Sequence, residues 1–191
     1  MKFPSLLLAS LLALATGPAL ASQPYAIDPS HTQVEFTYSH FGFSNITGRF
    51  DKVESEFHFD PADPATSRVK VTIPVESLST GVAKLDEHLL SADFFDAVQF
   101  PTATFTSTGV TVAGEGRLAV AGELTIHGVT RPVVMDVTIN KVGTHPVSQK
   151  PAVGFDAVFE IKRSEFGVGG FAPAVSDEVR IEITVEAQQA D

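Results

Sequence analysis

Alternation with a period of two constrains this chain more than any other feature. Val34, Phe36 and Tyr38 alternate with Gln33, Glu35 and Thr37. Val53, Ser55, Phe57 and Phe59 alternate with Glu54, Glu56, His58 and Asp60, and Val69, Val71, Ile73 and Val75 with Arg68, Lys70, Thr72 and Pro74. The cleanest run sets Val179, Ile181, Ile183 and Val185 against Arg180, Glu182, Thr184 and Glu186. Similar runs cover residues 102–112, 116–126, 132–142 and 152–163, and Gly48-Arg49-Phe50 is a further pairing segment. Successive strand side chains point to opposite faces, so this pattern specifies half-buried β-strands. About eight strands separated by turn signals make an all-β sandwich or barrel.

One segment departs from that period. Val82, Leu85, Leu89 and Ala92 recur at three- and four-residue steps, with Lys84, Asp86 and Glu87 elsewhere. This predicts one short amphipathic helix around 82–92, followed by the aromatic pair Phe94-Phe95 in a loop. The N-terminus departs differently. Lys2, the apolar run Leu6–Ala15 and the small-x-small end Ala19-Leu20-Ala21 form a secretory leader cleaved after residue 21. Residues 22–191 then form one exported domain. The apolar run is too short for a bilayer core, which takes about twenty residues. Stable membrane insertion is therefore not expected.

Composition removes several functions. The chain has no cysteine, so disulfides, thiolate metal sites and a cysteine nucleophile are absent. Of 13 Lys and Arg residues one is Lys2, and the remainder face 23 Asp and Glu. That balance argues against nucleic acid, whose phosphates need clustered cations, and against polybasic docking on anionic lipid. There is no tryptophan, but there are 15 phenylalanines, all except Phe3 in the mature part. They either fill a solid core or line a cavity. A closed antiparallel barrel has no free edges and can hold a small ligand. The missing Trp excludes the Gly-x-Trp signature of typical lipocalins.

Four ordered motifs resemble the YceI-like family of exported lipid-binding proteins. The first is Asp28-Pro29-Ser30-His31-Thr32-Gln33-Val34, leading to His40-Phe41-Gly42-Phe43-Ser44 and Gly48-Arg49-Phe50. The second runs from Asp86-Glu87-His88-Leu89 through Phe94-Phe95-Asp96 to Phe100-Pro101 and Phe105. The third is Gly122–Val133, and the fourth is Ile161-Lys162-Arg163-Ser164-Glu165-Phe166-Gly167. Thr32 stands where the family usually has Ser, and Glu165 where it often has Asp. The resemblance implies an extended, lipocalin-like antiparallel barrel around a long apolar tunnel. It implies binding of a polyisoprenoid, an isoprenoid quinone or a similar long amphiphile in the periplasm or the medium beyond it. It implies no catalytic residue, metal or cofactor.

On that resemblance Phe36, Phe41, Phe43, Leu89, Phe94, Phe95, Phe105 and Phe171 are the expected apolar lining. His31, His40, His88, Arg163 and Ser164 are the expected head-group contacts. His88, at the edge of the helix's apolar stripe, either hydrogen-bonds a ligand or ties the helix to a strand. Arg163 either pairs with a ligand oxygen or forms an ion pair with Asp93 or Asp96, which the acidic balance favours. The Gly167–Phe171 loop lacks the Gly-Lys-Ser/Thr ending of a phosphate cradle and reads as a flexible rim. Two competing readings stand beside this one. One is an envelope hydrolase or metal-dependent enzyme using His31, His40 and His88, although no tight ligand spacing supports it. The other is a stress-response or adhesion module with a solid barrel.

Overall fold

The alternating runs become strands that pair into a ring. A computed structural model describes residues 22–191; the expected leader lies outside the described residues. The strands are β1 (Gln23–Ile27), β2 (Gln33–His40), β3 (Ser44–Phe50), β4 (Glu54–Phe59), β5 (Arg68–Pro74) and β6 (Leu78–Ser79). After helix α1 (Ala83–Leu90) come β7 (Thr102–Gly114), β8 (Arg117–Ile126), β9 (Val129–Thr144), β10 (Pro151–Lys162) and β11 (Glu178–Gln189). Every pairing is antiparallel. Among the described residues no helix is long and apolar enough to cross a membrane.

Eight strands close the barrel in the order β1-β4-β5-β7-β8-β9-β10-β11, and β11 returns to β1 through Tyr25↔Gln189 and Ile27↔Ala187. The fold is thus the expected all-β antiparallel barrel with one helix. Strand β11 also pairs with β2, from Gln33↔Thr184 to Thr37↔Arg180, and β2 carries β3 and β6. The wall therefore passes from β1 to β2 across residues 28–32. One end of the barrel holds an aromatic floor. There the Phe59 and Phe155 rings meet edge-on at 5.2 Å, with Phe57 5.7 Å from Phe155 and Tyr25 6.0 Å from Phe59. At the other end Phe36, Leu78, Leu89 and Val179 are buried together, and the half-buried Tyr38, Phe50, Leu85, Phe94 and Phe95 pack around them.

Strand β9 starts earlier than the alternation predicts, because Pro132 pairs with Glu123 instead of ending the strand. Its pairing with β10 begins only at Asp136↔Val158. Pro132 consequently lies where β9 is an edge, and a missing N–H is tolerated there. Helix α1 is shorter than expected, since Val82 is an extended N-cap and Ser91 an extended C-cap. Asp86 anchors it by accepting hydrogen bonds from the Thr80 N–H (2.7 Å) and hydroxyl (2.6 Å).

Two inward phenyl rings lie over glycines on the neighbouring strand, Phe36 over Gly48 and Phe105 over Gly122. A Cβ at position 122 would overlap the Phe105 ring and come within 2.6 Å of the Thr106 carbonyl oxygen. Gly122→Ala is therefore expected to cost about 1–3 kcal/mol by overpacking, measured by urea unfolding. An unchanged midpoint would show that the ring has room to move.

Candidate ligand-binding cavity

The inward faces do not fill the barrel. They enclose a cavity of about 480 Å³ lined almost wholly by apolar side chains, within the 300–1,000 Å³ typical of small-molecule sites. A solid barrel is not what the sequence builds. Phe57, Phe59 and Phe155 form its inner end, and α1, the end of β2 and the 167–176 loop surround its mouth.

Of the expected apolar residues, Phe36, Leu89, Phe94, Phe95 and Phe105 line this cavity, and Phe41 and Phe171 stand at its mouth. Phe43 does not: it is 92 % exposed in the β2–β3 turn. The reason is local. Phe41 and Gly42 both take positive φ (52° and 74°) to reverse the chain, so the next residue emerges on the outer side. Phe41 and Phe171 (φ 62°) occupy the left-handed region that bulky residues normally avoid. Such strain concentrates at functional sites, and here both rings stand at the opening.

Among the expected polar residues, His40 and His88 lie at the mouth. Each stacks edge-on against a phenyl ring, His40 on Phe41 at 4.4 Å and His88 on Phe94 at 5.0 Å. His88 therefore packs within the mouth and does not tie α1 to a strand. His31 is elsewhere. Strand β2 separates it from His40 by nine residues, about 30 Å at strand rise, so the three histidines cannot share a metal or an active centre.

At the other end His31 joins Asp28 and Glu186, whose donor atoms lie within 4.8 Å of one another. Asp28 Oδ1 accepts from the Ser30 N–H (2.8 Å) and hydroxyl (2.5 Å), while Oδ2 pairs with His31 Nδ1 at 3.0 Å. Glu186 also pairs with His145 at 3.2 Å. The Ser30 hydroxyl and then His31 hold the Asp28 carboxyl well below the usual carboxylate range. The hydrogen bond and charge of Asp28 raise His31 above its ordinary value.

The raised His31 contributes stability fully below an unfolded pKa of about 6.5, lost as pH climbs through the folded value. The depressed Asp28 contributes above about 3.9, lost as pH falls through its folded value. Both are present between about pH 4 and 6.5. We expect the His31 ring protons to titrate above the ordinary histidine value by NMR, and to return toward it in Asp28→Asn. A titration unmoved by that substitution would separate the two groups.

Arg163 lines the cavity and Ser164 does not, and the polar groups of both are engaged by protein partners. Arg163 is 7 % exposed and forms no ion pair with Asp93 or Asp96. Its Nε donates to the Ser176 carbonyl (2.8 Å), Nη1 to Val168 (2.7 Å) and Gly170 (2.9 Å), and Nη2 to Val175 (2.9 Å). Burial lowers its pKa, with Asp177 and Tyr38 opposing the shift. Ser164 lies outside the cavity lining and donates its N–H (2.8 Å) and hydroxyl (2.7 Å) to Asp177.

Sequence reasoning missed Tyr38 as a polar mouth residue, although it shares the inward face of Val34 and Phe36. It lines the cavity, and burial raises its hydroxyl pKa against the influence of Arg163.

The profile of the YceI-like domain matches residues 25–187. A protein described as a UPF0312 protein from Pseudomonas syringae pv. tomato is 39 % identical, over 94 % of this chain and 97 % of its own length. Among solved structures, Burkholderia cenocepacia BcnA is similar at a TM-score of 0.78 and 31 % identity, over 85 % of this chain and 100 % of that one. A Saccharophagus degradans domain described as polyisoprenoid-binding shares the fold at a TM-score of 0.67 and 16 % identity, over 88 % of this chain and 99 % of that one.

Proposed function

The chain belongs to the YceI-like family, and from that premise we propose that it binds a long isoprenoid-type amphiphile in its barrel for storage or transport across the periplasm. The carrying observation is the enclosed apolar cavity with its aromatic floor and polar-edged mouth. Each Å² of hydrocarbon moved from water into such a wall contributes about 25 cal/mol, with no hydrogen-bonding demand from the lining. The polyisoprenoid-binding description of the S. degradans domain supports the ligand class. The leader-like residues 1–21 support export. His31, His40 and His88 are divided between the two ends, which favours binding over a catalyst built on those three.

The mouth favours a neutral or singly charged head, such as a quinone ring. A diphosphate needs several cations, and four donors of Arg163 already serve backbone carbonyls. His40, His88 and Tyr38 offer hydrogen-bonding groups there instead.

The test is purification from the native host's periplasm, organic extraction and mass spectrometry. A stoichiometric long-chain isoprenoid is the expected result. No such lipid in the extract, together with no binding when isoprenoid quinone is offered, overturns the proposal.

A further inference from the structure

The apolar surface of the barrel does not stop at its mouth. Among the described residues three phenylalanines are strongly exposed, Phe41 at 50 %, Phe43 at 92 % and Phe171 at 65 %, and all three stand at that end. The β2–β3 hairpin closes at His40↔Ser44, so Phe41 and Phe43 belong to its tip. The tip is tied to the segment that carries Phe171. The Phe41 N–H donates to the Ala174 carbonyl at 3.1 Å, the Ser176 N–H donates to the Ser39 carbonyl at 2.9 Å, and His40 bridges Val175. Val82, the N-cap of α1, and Val98, in the loop after the helix, are exposed at the same end. The outer wall and the opposite end expose valines but no phenylalanine among the described residues. Phe41 and Phe171 also line the cavity, so apolar surface continues from the interior onto the rim. An exposed apolar patch within a polar surface marks a place of association.

We propose that this rim docks reversibly on a membrane surface of zwitterionic lipid, and that cargo passes between bilayer and barrel through that contact. This rests on the reading of the cavity as a lipid site and adds the surface with which the lipid is exchanged. A hydrocarbon chain that leaves a bilayer beside Phe41 and Phe171 reaches the cavity without crossing water, which removes the cost of hydrating it. Charge selects the kind of surface. Residues 82–101 and 162–178, which flank the rings, hold seven Asp and Glu against Lys84, Lys162 and the buried Arg163. A surface of anionic head groups carries a negative potential and repels such a rim, whereas head groups that present an outward ammonium suit its carboxylates. Phe43 separates docking from binding, because it stands at the tip and lines no part of the cavity.

The experiment loads the delipidated protein with phylloquinone and follows its release into excess vesicles of phosphatidylcholine and phosphatidylethanolamine. Release from wild type is expected to accelerate in proportion to vesicle concentration, because transfer needs a collision. Escape through water would proceed at one rate whatever the vesicle concentration. Phe43→Asp is expected to release about tenfold more slowly, since a charge replaces a ring that enters the interface. Its starting occupancy and melting temperature should match wild type. Phe43→Trp is expected to keep the wild-type rate, and so is Val147→Asp, at an exposed position of the β9–β10 loop at the opposite end. Replacing part of the phosphatidylcholine by phosphatidylglycerol is expected to slow release, and added salt to restore it. A rate independent of vesicle concentration overturns the docking, and so does equal behaviour of Phe43→Asp and Val147→Asp. Self-association of wild type that Phe43→Asp abolishes assigns the rim to a second copy and also overturns it. Faster release into phosphatidylglycerol vesicles overturns the choice of a zwitterionic surface. Failure of wild type to take up phylloquinone at all overturns the lipid reading, and the docking with it.

Discussion

Phe95→Asp is expected to empty the barrel. Phe95 follows α1 and lines the cavity, and its ring meets Phe50 edge-on at 6.1 Å. Its backbone N–H donates to the Leu89 carbonyl at 3.0 Å, so the position is fixed by the helix and survives loss of the ring. Burying a phenylalanine contributes about 1.5–3 kcal/mol; a tenfold change in occupancy takes only about 1.4 kcal/mol. Loss of the ring alone reaches that range, and a carboxylate in the apolar wall adds a desolvation cost. Bound lipid per protein is therefore expected to fall at least about tenfold, read by mass spectrometry of extracts with thermal melting to confirm folding. Burial raises the pKa of the new carboxylate, so occupancy recovers partly in acid, where the group is neutral. Phe95→Asn shows no such pH dependence. His58→Ala, outside the cavity, and Phe43→Asp, at the exposed turn, are expected to stay within about twofold of wild type. A loss in His58→Ala equal to that in Phe95→Asp would refute the assignment of Phe95 to the wall.

The inward faces of this barrel are written in the alternation. Val34, Phe36 and Tyr38, then Ser55, Phe57 and Phe59, then Val179 to Val185 all point inward as their spacing requires. Strand β1 carries no comparable local signal. Its five residues contain Pro24 and a single buried side chain, Tyr25, and it exists because β4 and β11 flank it. The two-residue β6 likewise depends on its partner β3. The site was legible in its apolar part for the same reason: a phenylalanine at an inward position lines whatever the barrel encloses. Its polar part was harder to read. His31 and His40 fall in one motif, yet a strand places them at opposite ends.

Arg163 was the least legible residue, and its replacement is expected to have the largest effect on stability. An arginine in an acidic chain suggests a carboxylate or a ligand, since backbone carbonyls have no signature in sequence. The fold turns its guanidinium to four carbonyls of the 168–176 segment, which also holds Val168, Phe171 and Val175 in the cavity wall. Arg163→Met leaves those acceptors without their donors. Hydrogen bonds to a charged group contribute about 1.5–3 kcal/mol each, and water entering the opened loop replaces some of them. A net loss of about 3–5 kcal/mol is expected by urea unfolding, a large share of the 5–15 kcal/mol a domain possesses. Amide exchange over 167–176 should accelerate, and lipid affinity should fall with it as the mouth loosens. Arg163→Lys is expected to recover only part of this, because one ammonium cannot span the four acceptors that a planar fork reaches. A head-group arginine behaves otherwise: its removal lowers affinity and leaves unfolding and exchange unchanged. That outcome would return Arg163 to the ligand.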